Sequence, residues 1–255
     1  MPVYLIGAGP GDPELLTLKG KRLIDDADVI IYAGSLVNPD VLSGHKEGAV
    51  IYNSAMMDLD EVIDVMEKAE KEGKKCVRVH TGDPAIYGAH REQMDRLDKL
   101  GITYEVIPGV SSFLGTAAVL NKEYTMPGKS QTVILTRMEG RTPMPEGEKL
   151  VDLAKHHASM VIFLSIGFME EMTQQLMEGG YEPTTPVAVV YKATWPDQKI
   201  VIGTLSDIAA KVKEAGIRKT ALTVVGDFLG DEYELSKLYD KYFTTEFRQG
   251  KEREE

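Results

Sequence analysis

Three glycines fall within six residues at Gly7-Ala8-Gly9-Pro10-Gly11-Asp12, directly after an apolar run. Glycine-rich backbone can approach a bound group closely, and a loop between strand and helix points to nucleotide chemistry. The dinucleotide version of that loop fails here. Its third glycine would fall at Asp12, where a carboxylate would face a pyrophosphate. The second apolar run ends in Tyr32-Ala33-Gly34, with no acid to hold a ribose hydroxyl. The loop is therefore either a tight structural turn or a site for some other group. Gly128-Lys129-Ser130 has the look of a P-loop end, but the glycine it needs upstream is replaced by Glu123 and Tyr124. Lys129 reads as a solvated residue.

The histidines are His45, His80, His90, His156 and His157. None are at metal-ligand spacing along a helix, so no metal site is expected from this chain. His80 ends an apolar run beside Thr81-Gly82-Asp83 and is either a hydrogen-bonded strand-end histidine or a functional one. No serine stands in a GxSxG elbow, which leaves acyl transfer without support. Arg137 and Arg141 in TRMEGRTP, and Lys192 in YKATWPD, are basic residues in otherwise neutral loops. Arginine past a strand end suits a carboxylate gripped by two parallel hydrogen bonds. The alternative is an ordinary solvated ion pair.

Positioning these residues requires a strand–helix rhythm. Short apolar runs at residues 3–6, 29–32, 76–80 and 104–107 read as buried strands. Between them fall a helix opened by Asp12 and Pro13, and one opened by the capping box Asp58-x-x-Glu61 with Val62, Ile63, Met66 and Ala69 on one face. A third helix spans about residues 89–100, and a small-residue helix follows Pro108-Gly109. Such alternation implies a parallel sheet with helices on its faces and loops at its C-terminal edge. Residues 121–130 read as a linker. Strands are then expected at 132–135, 160–164, 187–191, 199–202 and 221–225, and helices at 146–156, 169–177 and 205–215. The close spacing of the last three strands suggests a mixed or antiparallel sheet. The expected organisation is α/β, with an N-terminal domain over residues 1–120, a second over 131–230, and a peripheral tail over 231–255 carrying a helix before its frayed end.

The chain has 255 residues, 29 basic and 40 acidic, for a net charge of −11. That length admits two domains of ordinary size, and the charge argues against a nucleic-acid binder, which carries a basic stripe. The one cysteine, Cys76, excludes an intrachain disulfide and fits a reducing compartment. No signal peptide or membrane span is read from the apolar runs. The expected setting is the cytoplasm.

Five segments in order carry a resemblance. YLIGAGPGDPELLTLKG, VRVHTGDPAIYG, VIPGVSS and, further on, YKATWPDQKIV with ALTVVGDF resemble the tetrapyrrole (corrin/porphyrin) methyltransferases that use S-adenosylmethionine. The resemblance covers nearly the whole chain. It implies two αβα domains, a cofactor folded in the cleft between them, and a homodimer. HTGDPAIYGA, QTVILTRMEGRTPMPE and YELSKLYDKYFTTEFR are similar to members acting at carbon 11 of (cobalt-)precorrin-4 in cobalamin synthesis. By resemblance, the cofactor contacts fall on Pro10, Thr81, Gly82, Asp83, Ile86, Ser111 and Ser112, then on Leu164, Ser165 and Ala193. Arg137, Arg141 and Lys192 become candidates for gripping the acetate and propionate groups of a tetrapyrrole. The chain departs from the uroporphyrinogen-type relatives, which carry an Asp where Ala33 stands and a Lys in the segment that here reads Tyr52-Asn53-Ser54-Ala55. Their acid–base pair does not transfer, and no catalytic base is assigned. Two other classes stay open on the residues alone: a nicotinamide-dependent oxidoreductase, and a non-catalytic tetrapyrrole-binding module.

Overall fold

A computed structural model describes residues 1–252. The chain divides into two compact units: residues 1–120 together with Tyr191–Lys199, and residues 121–190 together with 200 onward.

In the first unit, β1 (Val3–Gly7), β2 (Val29–Tyr32), β3 (Val50–Asn53), β4 (Cys76–His80) and β5 (Tyr104–Ile107) form one sheet in the order β3-β2-β4-β1-β5. Every recorded pairing in it is parallel. α1 (Leu18–Asp25) packs Leu23 and Ile24 with Ile6, Ile30, Val77 and Val79 on one face. α2 (Leu59–Lys71) and α3 (Arg91–Leu100) pack Val62, Ile63, Met66 and Leu97 with Leu5, Ile31 and Cys76 on the other. The split follows from right-handed crossovers. The chain moves one way across the sheet from β1 to β3, then reverses through β4 to β5, so its connections change face. β1 and β4 are neighbours whose outgoing loops lead to opposite faces. Such a switch point opens a crevice at the C-terminal edge, where parallel sheets bind ligands. α4 (Ser112–Leu120) completes this unit.

In the second unit, β6 (Val133–Arg137), β7 (Ser159–Phe163), β8 (Pro186–Tyr191), β9 (Lys199–Thr204) and β10 (Ala221–Val225) follow the order β6-β7-β10-β8-β9. β6 runs parallel to β7 and β10 antiparallel to it, so the sheet is mixed, as the strand spacing suggests. α5 (Leu150–Ala154) and α6 (Met169–Glu178) meet at a close approach. A Cβ on Gly179 would lie 2.3 Å from that of Ala154. α7 (Ile208–Glu214) buries Ile208 and Val212.

The strand and helix types match the sequence expectations closely, with four differences. The helix expected to run on from Asp12 is two pieces: a 3-10 turn at Pro13–Leu15 capped by Asp12, and α1, whose cap is the Thr17 hydroxyl accepting from the Gly20 amide at 3.1 Å. Leu18 is left exposed by that break. β3 falls on Val50-Ile51-Tyr52, where no strand is expected, and is a half-exposed edge strand. The helix expected over 146–156 shrinks to α5, since Gly147 adopts φ 83° and the turn around it precedes the helix. The tail forms no α-helix among its described residues, only a 3-10 turn at Lys237–Tyr239. Side chains there compete for backbone: Asp240 accepts from Tyr242 N at 2.9 Å and Thr245 from Arg248 N at 3.0 Å. The last three residues of the tail lie outside the described part.

Residues 121–130 are not a free connector. Tyr124 is buried against Phe228, with ring centroids 4.9 Å apart, and Ser159 Oγ donates to the Tyr124 carbonyl at 2.7 Å. Among the described residues no helix is long and apolar enough to cross a membrane.

Candidate active site

Three strand-end loops of the first unit meet backbone to backbone. A Cβ on Gly7 would lie 2.6 Å from the Gly82 carbonyl oxygen, and one on Gly109 only 2.2 Å from the same atom. Gly9 and Gly82 exchange amide–carbonyl hydrogen bonds at 3.2 and 2.9 Å. Only glycine fits at 7 and 109, because any side chain would drive the β1, β4 and β5 loops apart. Asp83 fastens the third loop: its Oδ2 accepts from Gly109 N and its Oδ1 from Ala85 N, both at 2.8 Å. Thr81 Oγ1 donates to the Leu36 carbonyl at 3.2 Å. Ser111 is buried, Ser112 is half-buried, and both backbones sit about van der Waals distance from the Gly82 α-carbon substituent position, at 3.4 Å.

The segment Tyr191–Lys199 seats on the β1 loop. Trp195 Nε1 donates to the Pro10 carbonyl at 3.0 Å, and Asp12 N donates to Thr194 Oγ1 at 3.0 Å. Gly11, at φ 156°, lies under the indole: a Cβ there would be 2.0 Å from Trp195 Cδ1. Asn38, 5 % exposed, donates Nδ2 to the Gly11 carbonyl at 2.9 Å. Ala193 is buried between Lys192 and Thr194, both in the left-handed region at φ 47° and 69°.

Pro10, Thr81, Gly82, Asp83, Ile86, Ser111, Ser112 and Ala193 thus all lie in the first unit, on its strand-end loops and the segment docked on them. Leu164 and Ser165 lie in the second unit, at the end of β7. Leu164 is exposed at φ 54°. Ser165 is buried, with its Oγ donating to the Phe163 carbonyl at 2.6 Å and accepting from Met138 N at 2.7 Å. Its hydroxyl joins the ends of β6 and β7.

The three basic candidates differ sharply. Arg137 folds onto its own loop, donating Nη1 to the carbonyls of Met138 and Thr142 and Nη2 to that of Pro143 at 3.0–3.2 Å. Lys192 pairs with Asp197 at 2.7 Å and stands 4.7 Å from the Trp195 ring centroid, and the Asp197 hydrogen bond raises its pKa. Arg141 is exposed on the loop that Arg137 shapes.

Electrostatics exclude two groups from proton or nucleophile roles. Burial, with Arg78 and His90 adding to it, pushes His80 down to about 3. It is neutral at physiological pH, and its Nε2 is buried with no partner among the described residues. Burial pushes the Cys76 thiol up to about 12, far from a reactive thiolate.

The sequence reading missed Asn38, Thr194, Trp195 and Gly109. Gly11 offered the one signal, since three closely spaced glycines with no phosphate motif call for something packed upon them.

A parallel sheet with a switch point and glycine-packed loops at its C-terminal edge is the arrangement at which open sheets of this kind bind ligands. The profile of the Tetrapyrrole (Corrin/Porphyrin) Methylases matches residues 2–209. The chain belongs to that family, and it is a methyltransferase. It is 61% identical over 247 residues to a protein of Methanocaldococcus jannaschii named cobalt-precorrin-4 C(11)-methyltransferase, covering 96% of this chain and 95% of the relative. A solved cobalt-precorrin-4 methyltransferase is similar at 48% identity and TM-score 0.88, covering 90% of this chain and 96% of the other. A uroporphyrin-III C-methyltransferase of Thermus thermophilus, solved with S-adenosylhomocysteine, is similar at 28% identity and TM-score 0.74, covering 90% and 93%.

Proposed function

We propose that the protein transfers a methyl group from S-adenosylmethionine to carbon 11 of cobalt-precorrin-4 in cobalamin biosynthesis, acting as a cytoplasmic homodimer. What carries this reading is the convergence of three glycine-packed strand-end loops in a chain 61% identical to a relative so named. The donor set of the loops fits the cofactor. Asp83 has both oxygens engaged by loop amides, which holds in place the backbone that would meet the cofactor. Pro10, Thr81, Gly82, Asp83, Ile86, Ser111, Ser112, Leu164, Ser165 and Ala193 are the proposed cofactor residues.

When bound, S-adenosylmethionine supplies a methyl group already activated by its sulfonium. The chain's own work is to bind and orient. The Gly7, Gly82 and Gly109 backbones fix the loops, and Asp83 sets the spacing of two of them. Holding donor and acceptor carbon at near-attack distance supplies much of the rate for a displacement of this kind. Arg141 is the residue whose guanidinium is presented for substrate carboxylates. Arg137 shapes that loop through three carbonyls, and Lys192 would have to share itself with Asp197.

The test is incubation of the protein with cobalt-precorrin-4 and methyl-labelled S-adenosylmethionine, read by mass spectrometry. One label per macrocycle supports the reading. No transfer from a folded protein that binds S-adenosylhomocysteine rejects it.

A further inference from the structure

Buried polar side chains of β4 and α3 lead to the loop after β4. Alternation along β4 puts Arg78 and His80 on the same face as Cys76, the face covered by α2 and α3. Arg78 is 7 % exposed and His80 3 %. Among the described residues no carboxylate pairs with Arg78. Its Nε donates to Gln93 Oε1 at 3.3 Å, and its Nη1 to the carbonyls of Ile31 and Val79 at 3.4 and 3.3 Å. Gln93, in the first turn of α3 and 6 % exposed, passes the contact on: its Nε2 donates to the Ala89 carbonyl at 3.2 Å.

The loop so held is strained. Tyr87 and Ala89 both adopt left-handed backbone, at φ 52° and 47°. A Cβ on Gly88 would lie 2.1 Å from the Pro84 carbonyl oxygen. Non-glycine residues keep such conformations only where their surroundings over-determine them. The choice of side chain at 93 is informative. A carboxylate there would neutralise buried Arg78, and burying an uncompensated cation is costly. A carboxylate, however, would set an acceptor against the Ala89 carbonyl. Only an amide accepts from Arg78 and donates to the loop at once.

We propose that Gln93, gripped by Arg78, is a positioning residue for methyl-donor binding: it holds residues 84–90 in their strained form through the Ala89 carbonyl. This rests on the reading that Thr81, Gly82, Asp83 and Ile86 bind S-adenosylmethionine.

The deciding variant is Gln93→Glu, which keeps the acceptor for Arg78 and loses the donor to Ala89. Calorimetry with S-adenosylhomocysteine on the full chain is expected to show affinity about tenfold weaker than the parent. Hydrogen exchange at the amides of residues 85–89 should be faster, with the thermal midpoint unchanged or raised by the new ion pair. A Gln93 that only packs the helix predicts parental affinity and exchange in Gln93→Glu. Affinity within about twofold of the parent, less than 0.5 kcal/mol, overturns the proposal while leaving the cofactor reading intact. A parent that does not bind S-adenosylhomocysteine overturns both. If Gln93→Glu does not fold, Gln93→Met, which removes both bonds and keeps the volume, is read by the same titration with the same two outcomes.

Discussion

The strand-end loops of the two units are built by different means. In the first unit, backbone meets backbone: Gly7, Gly82 and Gly109 pack where no Cβ fits. In the second, side chains join the strand ends: Ser165 links β7 to β6, and Arg137 gathers the carbonyls of the loop after β6. The first construction brings main-chain groups of three loops together at the sheet's C-terminal edge. The second leaves residues such as Leu164 and Arg141 displayed outward. Backbone packing suits a part that binds a constant group, while displayed side chains suit a part that selects among substrates.

The largest test of that contrast is a methyl group. Gly109→Ala puts a Cβ 2.2 Å from the Gly82 carbonyl and should cost about 3 kcal/mol or more, enough to lose the folded first unit in urea melts. Gly167→Ala, just past the β7 end of the second unit, meets nothing within 4 Å and should shift stability by roughly 0.5 kcal/mol or less. Equal effects would end the comparison.

His80 supplies a pH test. Its value falls from 6.5 to about 3 on folding, so the unfolded chain takes up the proton first as pH drops. Its contribution is full above 6.5 and is lost between 6.5 and 3. Urea midpoints measured from pH 7 to pH 4 should decline, and His80→Gln should flatten the slope. An unchanged slope in the variant would place the titration elsewhere.

Next in size, Ser165→Ala leaves the buried Met138 amide without its partner and should cost about 1–3 kcal/mol in denaturant melts. Thr81→Val removes one hydroxyl donation from a half-buried side chain and should cost about 1 kcal/mol. Smallest for stability, and telling for function, are the two arginines. Arg141→Ala should leave the melting temperature alone and weaken macrocycle binding about tenfold, near 1.4 kcal/mol. Arg137→Ala should lower stability as well, because its loop carbonyls lose their donors.

The strands of both sheets were legible because a buried strand must be an apolar run. β2 and β10 fall on the residues expected. The capping box at Asp58 and Glu61 was legible for the same reason, being a local hydrogen-bond exchange. β3 was not read, although Val50-Ile51-Tyr52 is an apolar run; as an edge strand it leaves those side chains largely exposed. Neither was the docking of Trp195 over Gly11, which joins residues far apart in sequence. The helix expected in the tail is absent among its described residues. Arg248 instead gathers the carbonyls of Leu238, Asp240 and Phe243 into an irregular coil. Among the candidate site residues, the engagement of Asp83, Ser165, Arg137 and Lys192 by partners within the protein was not legible. Those partners are mostly main-chain atoms or neighbours defined by the fold.

The most direct measurement is nuclear magnetic resonance of the product formed from cobalt-precorrin-4 and S-adenosylmethionine labelled with carbon-13 in its methyl group. The account predicts a single labelled methyl resonance bonded to ring carbon 11. A label on another ring carbon, or an unlabelled macrocycle, would contradict it.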